Sequence, residues 1–108
     1  MEQIKRFDVW DVELNPTKGN EINKTRPCVI VSPNEANKHL NTVIVVPMTT
    51  TSKPYPTRLD CKFLGEKSQL IVDQIRSVDK SRLTQKLGVM DLFTNKELCY
   101  LLVETFKY

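Results

Sequence analysis

Thr42-Val43-Ile44-Val45-Val46-Pro47-Met48 is a continuous run of β-branched and apolar residues, too short for a helix and lacking the alternation of a half-wet strand. It reads as a strand buried on both faces. Pro47 predicts the end of that strand or a bulge, because proline has no amide proton to give to a ladder. Cys28-Val29-Ile30-Val31 reads the same way, and two such strands side by side predict a central sheet.

Outward from this pair, Phe7 to Leu14 alternates Trp10, Val12 and Leu14 against Asp11 and Glu13, which predicts a first strand. Asn15-Pro16 ends it. Ser32-Pro33-Asn34 closes the Cys28–Val31 strand, and Glu35 to Leu40 is expected to form one helical turn capped by Asn34. Arg58 to Phe63 alternates polar and apolar residues, Gly65 marks a turn, and Gln69 to Val72 is the expected return strand. Asp73 to Asp79 continues that strand or leaves it as an extended loop, with Asp79 capping a short turn through Leu83. Thr84 to Met90 is expected to be the last strand. Thr94-Asn95-Lys96-Glu97 has the form of a capping box, followed by Leu98, Leu101, Leu102 and Thr105 at helical spacing, with Cys99, Val103 and Phe106 widening the stripe. The expected fold is mainly β: a small, strongly bent antiparallel sheet or partly open barrel with short helical turns and a C-terminal amphipathic helix.

A chain of 108 residues with 40% apolar content suits one domain, residues 1–108. The start mixes charges where a signal peptide would be apolar, and the longest apolar runs are too short to span a bilayer, so a soluble cytoplasmic protein is expected. Cys28, Cys61 and Cys99 are odd in number and widely spaced, which suggests small buried hydrophobes in place of disulfides or a zinc site. With a single histidine, no metal site and no cofactor are expected. The net charge of +3 permits nucleic-acid binding without demanding it, and the cations concentrate between Lys53 and Lys86.

The polar loop Asn15 to Pro27 is long for a connection without structure of its own, and such loops are usually functional or disordered. It carries Lys18, Lys24 and Arg26, all able to meet phosphate, and the carboxylate of Glu21. Arg26 does not give up its proton, but its planar fork can clamp two oxygens of a phosphate. Thr49, Thr50 and Ser52 place hydroxyls just past a buried strand, with Lys53 following. Tyr55, held between Pro54 and Pro56, is exposed enough to stack on a base. Glu21 and Asp73 are the carboxylates available as general base, and His39 has no obvious partner. No Gly-rich phosphate loop, nucleophile elbow or paired-carboxylate motif is present.

Asp8-Val9-Trp10, Asn15-Pro16-Thr17-Lys18-Gly19-Asn20-Glu21, Thr25-Arg26-Pro27, Val46-Pro47-Met48-Thr49-Thr50 and Asp73-Gln74-Ile75-Arg76-Ser77-Val78-Asp79 follow in an order that resembles the MazF/PemK family of toxin endoribonucleases. The resemblance implies an SH3-like barrel with a C-terminal helix, assembled as a homodimer. It also implies metal-free cleavage of single-stranded RNA at short sequences, leaving 2′,3′-cyclic phosphate and 5′-hydroxyl ends, under restraint by a MazE-type antitoxin. By the same resemblance the catalytic Arg and Thr fall on Arg26 and Thr49, and the acid of the first loop on Glu21. Positions that contact RNA fall on Asn20, Asn37, Tyr55, Pro56, Asp73 and Gln74. One branch of the family has a His in the first loop and an Arg two residues before the Asp-Gln pair; this chain has Asn20 and Ile71 there. A relative of the same fold poisons gyrase through its C-terminal helix without cutting RNA. That alternative, and a plain RNA-binding module, stay open at the level of sequence.

Overall fold

Hydrogen-bonded ladders on both edges of the run from Thr42 to Thr49 order the rest of the sheet. In the computed structural model, which describes residues 3–108, the strands are β1 (Asp8–Glu13), β2 (Thr25–Ile30), β3 (Thr42–Thr49), β4 (Arg58–Phe63), β5 (Glu66–Ile71), β6 (Arg76–Asp79) and β7 (Leu83–Val89). Two helices, α1 (Asn34–His39) and α2 (Leu92–Phe106), and two 3-10 turns, Val72–Gln74 and Lys80–Arg82, complete it. Met1 and Glu2, part of the charged start, lie outside the described residues.

All the pairings are antiparallel, and the strands run in the order β4-β5-β3-β2-β1-β7, with β6 also pairing with β3. The sheet bends but does not close, since β4 and β7 at its two ends do not pair. Strand β3 runs straight through Pro47. One of its edges pairs with β6 over Thr42–Val45 and with β5 over Met48–Thr49, so proline marks a change of partner, not an end. That change of partner lets one strand serve two parts of the sheet.

Alternation along the strands divides the core between the two faces. Trp10, Val12, Cys28, Ile30, Val43 and Val45 form one cluster, with Ile22 of the long loop packed on it. Val9, Val29, Val31, Val46, Met48 and Leu70 form the other, covered by Leu98 of α2 and the half-buried Leu101 and Leu102. Gly88 of β7 admits the ring of Phe63, whose Cζ would lie 3.2 Å from a Cβ at that position. The β4–β5 hairpin thus leans across the open side of the sheet.

Several local expectations are corrected. Strand β2 begins at Thr25, not Cys28, because Glu13 and Val12 of β1 pair with Thr25 and Arg26. Pro27 is tolerated because β3 joins β2 only from Cys28 onward. The cap of α1 is Pro33 with no side-chain bond, and Asn34 Oδ1 instead accepts from the Arg6 amide at 2.7 Å. Residues 76–79 form β6, held by its ladder to β3. The capping box at Thr94 does not form. Helix α2 starts earlier, at an Asp91 cap whose carboxylate accepts from the Thr94 amide at 3.0 Å and the Thr94 hydroxyl at 2.8 Å. Val103, Thr105 and Phe106 are exposed, because the helix runs beyond the sheet after Leu102. Asp79 caps its short turn as expected, accepting from the Ser81 amide at 2.9 Å.

The hydrogen bonds from Thr94 hold the Asp91 carboxyl below the usual aspartate range. A lowered folded value means that the cap stabilises above the ordinary aspartate range and is lost as pH falls through the folded value. Replacing Asp91 with Ala is expected to cost about 1 kcal/mol in urea unfolding at neutral pH, and the gap to wild type should shrink in acid. Glu97→Ala should stay within about 0.5 kcal/mol of wild type; a larger loss there would restore the capping-box reading.

Candidate active site

Antiparallel pairing of β2 with β3 sets Cys28 opposite Pro47, Val29 opposite Val46 and Ile30 opposite Val45. The ladder stops at Cys28 and Pro47, and Arg26 and Thr49 each lie two residues beyond that last pair. Both line one open cavity of about 330 Å³, together with Pro27, Met48, Thr50 and Ser68. Arg26 is half-buried, and its Nε donates to the Asn23 carbonyl at 3.0 Å, which fixes the plane of the guanidinium. Among the described residues no acceptor contacts Nη1 or Nη2, so the outer fork is available to an anion. Thr49 is 8% exposed, and its Oγ1 accepts from the Thr51 amide at 3.1 Å. With that lone pair engaged, its O–H is the remaining donor. The chemistry this supports is stabilisation of charge developing on a phosphoryl group.

The Asn15–Lys24 loop is stitched at its base. Arg76 Nη1 donates to the Leu14 carbonyl at 3.1 Å, and Arg82 donates to the carbonyls of Glu13 and Asn15. The Lys24 amide donates to Asn15 Oδ1 at 3.2 Å. Near its tip, Gln74 Oε1 accepts from the Ile22 amide at 2.6 Å while its Nε2 faces the Asn20 carbonyl at 3.5 Å. Gln74 is therefore a loop anchor in this structure. Glu21 is exposed and outside the Arg26 cavity, and its Oε1 accepts from the Lys18 amide at 2.6 Å. Lys18 and Asn20 are exposed on the same loop.

The second loop, residues 50–57, is held by a residue that sequence reasoning missed. Gln69, opposite both Thr49 and Asp60 in the sheet and almost fully buried, grips the Lys53 peptide from both sides. Its Oε1 accepts from the Lys53 amide at 3.0 Å, and its Nε2 donates to the Lys53 carbonyl at 3.2 Å and to Asp60 Oδ1 at 2.7 Å. Arg58 Nη1 adds bonds to the Thr51 carbonyl at 3.2 Å and Gln69 Oε1 at 3.3 Å. The Arg58 guanidinium also stands 5.6 Å from the centroid of the Tyr55 ring. The signal in the sequence was a glutamine set directly against the apolar run Leu70 to Val72; the strand expected to begin there starts at Glu66, so Gln69 lies inside it and Val72 in the turn that follows. Thr50, Ser52, Lys53, Tyr55 and Pro56 are exposed on this loop.

Asn37 does not join the site. It is 3% exposed, its Oδ1 accepts from the Ser32 hydroxyl at 2.5 Å, and its Nδ2 donates to the Ser32 carbonyl at 3.0 Å. The side chain is fully used in closing the turn between β2 and α1. Asp73 is exposed on the 3-10 turn after β5. His39 has a partner after all, Glu35 Oε1 at 3.2 Å on the exposed face of α1. Burial pushes the Cys28 thiol up to about 12 and the Cys61 thiol up to about 11, so neither is a nucleophile at neutral pH.

A family profile described as PemK-like, MazF-like toxin of type II toxin-antitoxin system matches residues 5–106. The chain is 36% identical over 90 residues to Endoribonuclease MazF of Staphylococcus epidermidis, covering 78% of this chain and 75% of that relative. Its fold is similar to the crystal structure of MazF from Deinococcus radiodurans, with a TM-score of 0.88 at 22% identity over 100% of both chains. It is also similar to an endoribonuclease solved in complex with its cognate antitoxin from a mycobacterial species, with a TM-score of 0.81 at 23% identity, covering 97% of this chain and 98% of the other.

Because the Gln69 amide alone bonds both the amide and the carbonyl of Lys53, Gln69→Leu should loosen the middle of the 50–57 loop. Loss of the bonds to Lys53 and Asp60 is expected to cost about 1 to 3 kcal/mol. Hydrogen exchange of the Lys53 amide should accelerate, while the amides of β2 keep their protection. An unchanged Lys53 exchange rate would show that the loop is held by something else.

Proposed function

This chain belongs to the PemK-like, MazF-like toxin family of type II toxin–antitoxin systems, and from that premise we propose how its endoribonuclease activity works. The substrate is single-stranded RNA. The 2′-hydroxyl of the target nucleotide attacks its own 3′-phosphorus, and the bond to the 5′-oxygen of the next nucleotide breaks. The 2′-proton passes to a base and the departing oxygen takes a proton from solvent, leaving a 2′,3′-cyclic phosphate and a 5′-hydroxyl. The pairing of Arg26 with Thr49 in one cavity is the observation that carries this reading.

The two free Nη donors of Arg26 bind the non-bridging phosphoryl oxygens as their charge grows, and the Thr49 hydroxyl adds a third hydrogen bond. The Asn23 carbonyl keeps the guanidinium oriented before substrate arrives, so no reorganisation is needed during the reaction. These residues neutralise the phosphoryl charge themselves, and the reaction as proposed needs no metal. Glu21 is the proposed proton acceptor. To act as base it would exchange its bond to the Lys18 amide for the substrate. Tyr55 stacks on a base, with Lys18, Asn20, Thr50, Ser52, Lys53, Pro56 and Asp73 around the strand and Gln74 shaping the loop. The 2′-hydroxyl is what makes the reaction specific for RNA.

We further propose a homodimer acting in the cytoplasm and restrained by a MazE-type antitoxin. Leu92, Phe93, Tyr100, Val103 and Phe106 leave an apolar row exposed on α2, surface that association would cover. No helix among the described residues is long and apolar enough to cross a membrane.

Arg26→Ala should reduce kcat by about 100- to 1000-fold with unchanged circular dichroism, and Arg26→Lys should recover little, since an ammonium cannot reproduce the fork. Wild type should cut RNA in excess chelator and leave cyclic phosphate ends. Intact RNA under those conditions would favour a non-cutting toxin acting through α2. For Glu21, the test is the pH dependence of kcat: Gln can still accept from the Lys18 amide, so an unchanged profile in Glu21→Gln would remove the carboxylate from proton transfer.

A further inference from the structure

The cations between Lys53 and Lys86 fall into two groups. Arg58, Arg76, Lys80 and Arg82 donate to carbonyl or amide oxygens, and Lys86 faces the buried carboxylate of Asp8 at 3.6 Å. The ammonium groups of Lys53, Lys62 and Lys67 have no acceptor among the described residues.

Two of those three are set directly opposite each other. Lys62 of β4 pairs with Lys67 of β5. Like charges directly opposed across a ladder destabilise it. The nearest carboxylate on that face, Asp60, is already held by Gln69. The lysine pair lines a second open cavity of about 480 Å³ with Thr50, Ser52, Asp60, Cys61, Ser68 and Gln69, where the Asp60 carboxylate is engaged by Gln69 and leaves the two ammonium groups in excess. Thr50 and Ser68 line the Arg26 cavity as well, so the two cavities adjoin. Gln69 stands opposite Thr49, and Lys67 lies two residues along the same strand, about 7 Å away on the same face.

We propose that the Lys62/Lys67 cavity is a second binding site for the phosphodiester backbone of the RNA strand, flanking the cleavage site. The proposal rests on the RNA-cleaving reading above and extends it. A strand whose scissile phosphate lies against Arg26 and Thr49 passes over Thr50 and Ser68, and its neighbouring phosphate lies between the two ammonium groups. Their mutual repulsion is relieved when the anion enters. The contact is to backbone, so it raises affinity for long substrates without reading sequence.

The test is binding of a fully 2′-O-methylated mixed-sequence RNA, which lacks the attacking hydroxyl, measured by fluorescence anisotropy across a salt series. For single strands each neutralised phosphate contributes about 0.7 to the slope of log affinity on log salt. Lys62→Gln/Lys67→Gln should flatten that slope by about 0.7, the share of one phosphate, and weaken binding roughly tenfold at low salt. Lys67→Glu gives the sharper result: it turns the repulsive pair into an attractive one, so Tm holds or rises while RNA binding falls. Slopes and affinities equal to wild type in both variants would overturn the site, as would a loss of binding to an acidic peptide with RNA binding unchanged. Cutting of unmodified RNA by wild type, assayed separately, decides the parent reading independently of either result.

Discussion

The antiparallel register of β2 against β3 is the constraint from which the site follows. Two chain segments more than twenty positions apart bring a guanidinium and a hydroxyl to one cavity because Cys28 meets Pro47, and Arg26 and Thr49 each lie two residues beyond that pair. A slip of one residue would turn Arg26 toward the opposite face. What prevents the slip is the buried pattern next to it, with Cys28 and Ile30 in one cluster and Val29 and Val31 in the other. The row continues across the sheet through Gln69 and Asp60, so chemistry and loop support share one line of side chains.

Around that line, most of the charge that looks like a surface for anions is internal support. Arg76 and Arg82 close the base of the first loop by donating to its carbonyls, and Arg58 does the same for the second. A guanidinium suits this work because its several donors lie in one plane and reach more than one acceptor. Both loops are ordered before any ligand is present, which is the condition under which fixed donors are most effective on a developing charge.

The fold was legible where burial is written into composition. The runs Cys28–Val31 and Thr42–Met48, the alternation of β4 and the stripe around Leu98 all follow from periodicity. Strand β6 was not, because only Val78 of its four residues is buried and its ladder to β3 is a long-range contact. The α2 cap was misplaced by three residues because Thr94 and Glu97 match a local pattern, while Asp91 wins by accepting two bonds from Thr94. Among site residues, Arg26 and Thr49 are brought together as expected. Asn37 and Gln74 illustrate the limit: an amide read as a ligand for RNA can equally satisfy buried backbone, and only geometry tells which. Gln69 escaped because a glutamine among other polar residues at the start of a strand carries no local sign of what it will bond.

The clamp of Gln69 on the Lys53 peptide has a consequence for how such an enzyme diversifies. Arg26 and Thr49 sit on two central strands locked by both apolar clusters, whereas the exposed loop carrying Tyr55 is fastened to the β4–β5 hairpin through the side chains of Gln69 and Arg58. Substitutions beyond Thr50 in that loop can therefore accumulate without reaching the Arg26 cavity, provided the anchored segment keeps its place. Under the proposed function, target preference and bond-breaking would be separately heritable traits, and lineages sharing Arg26 and Thr49 would be free to diverge in the RNAs they cut.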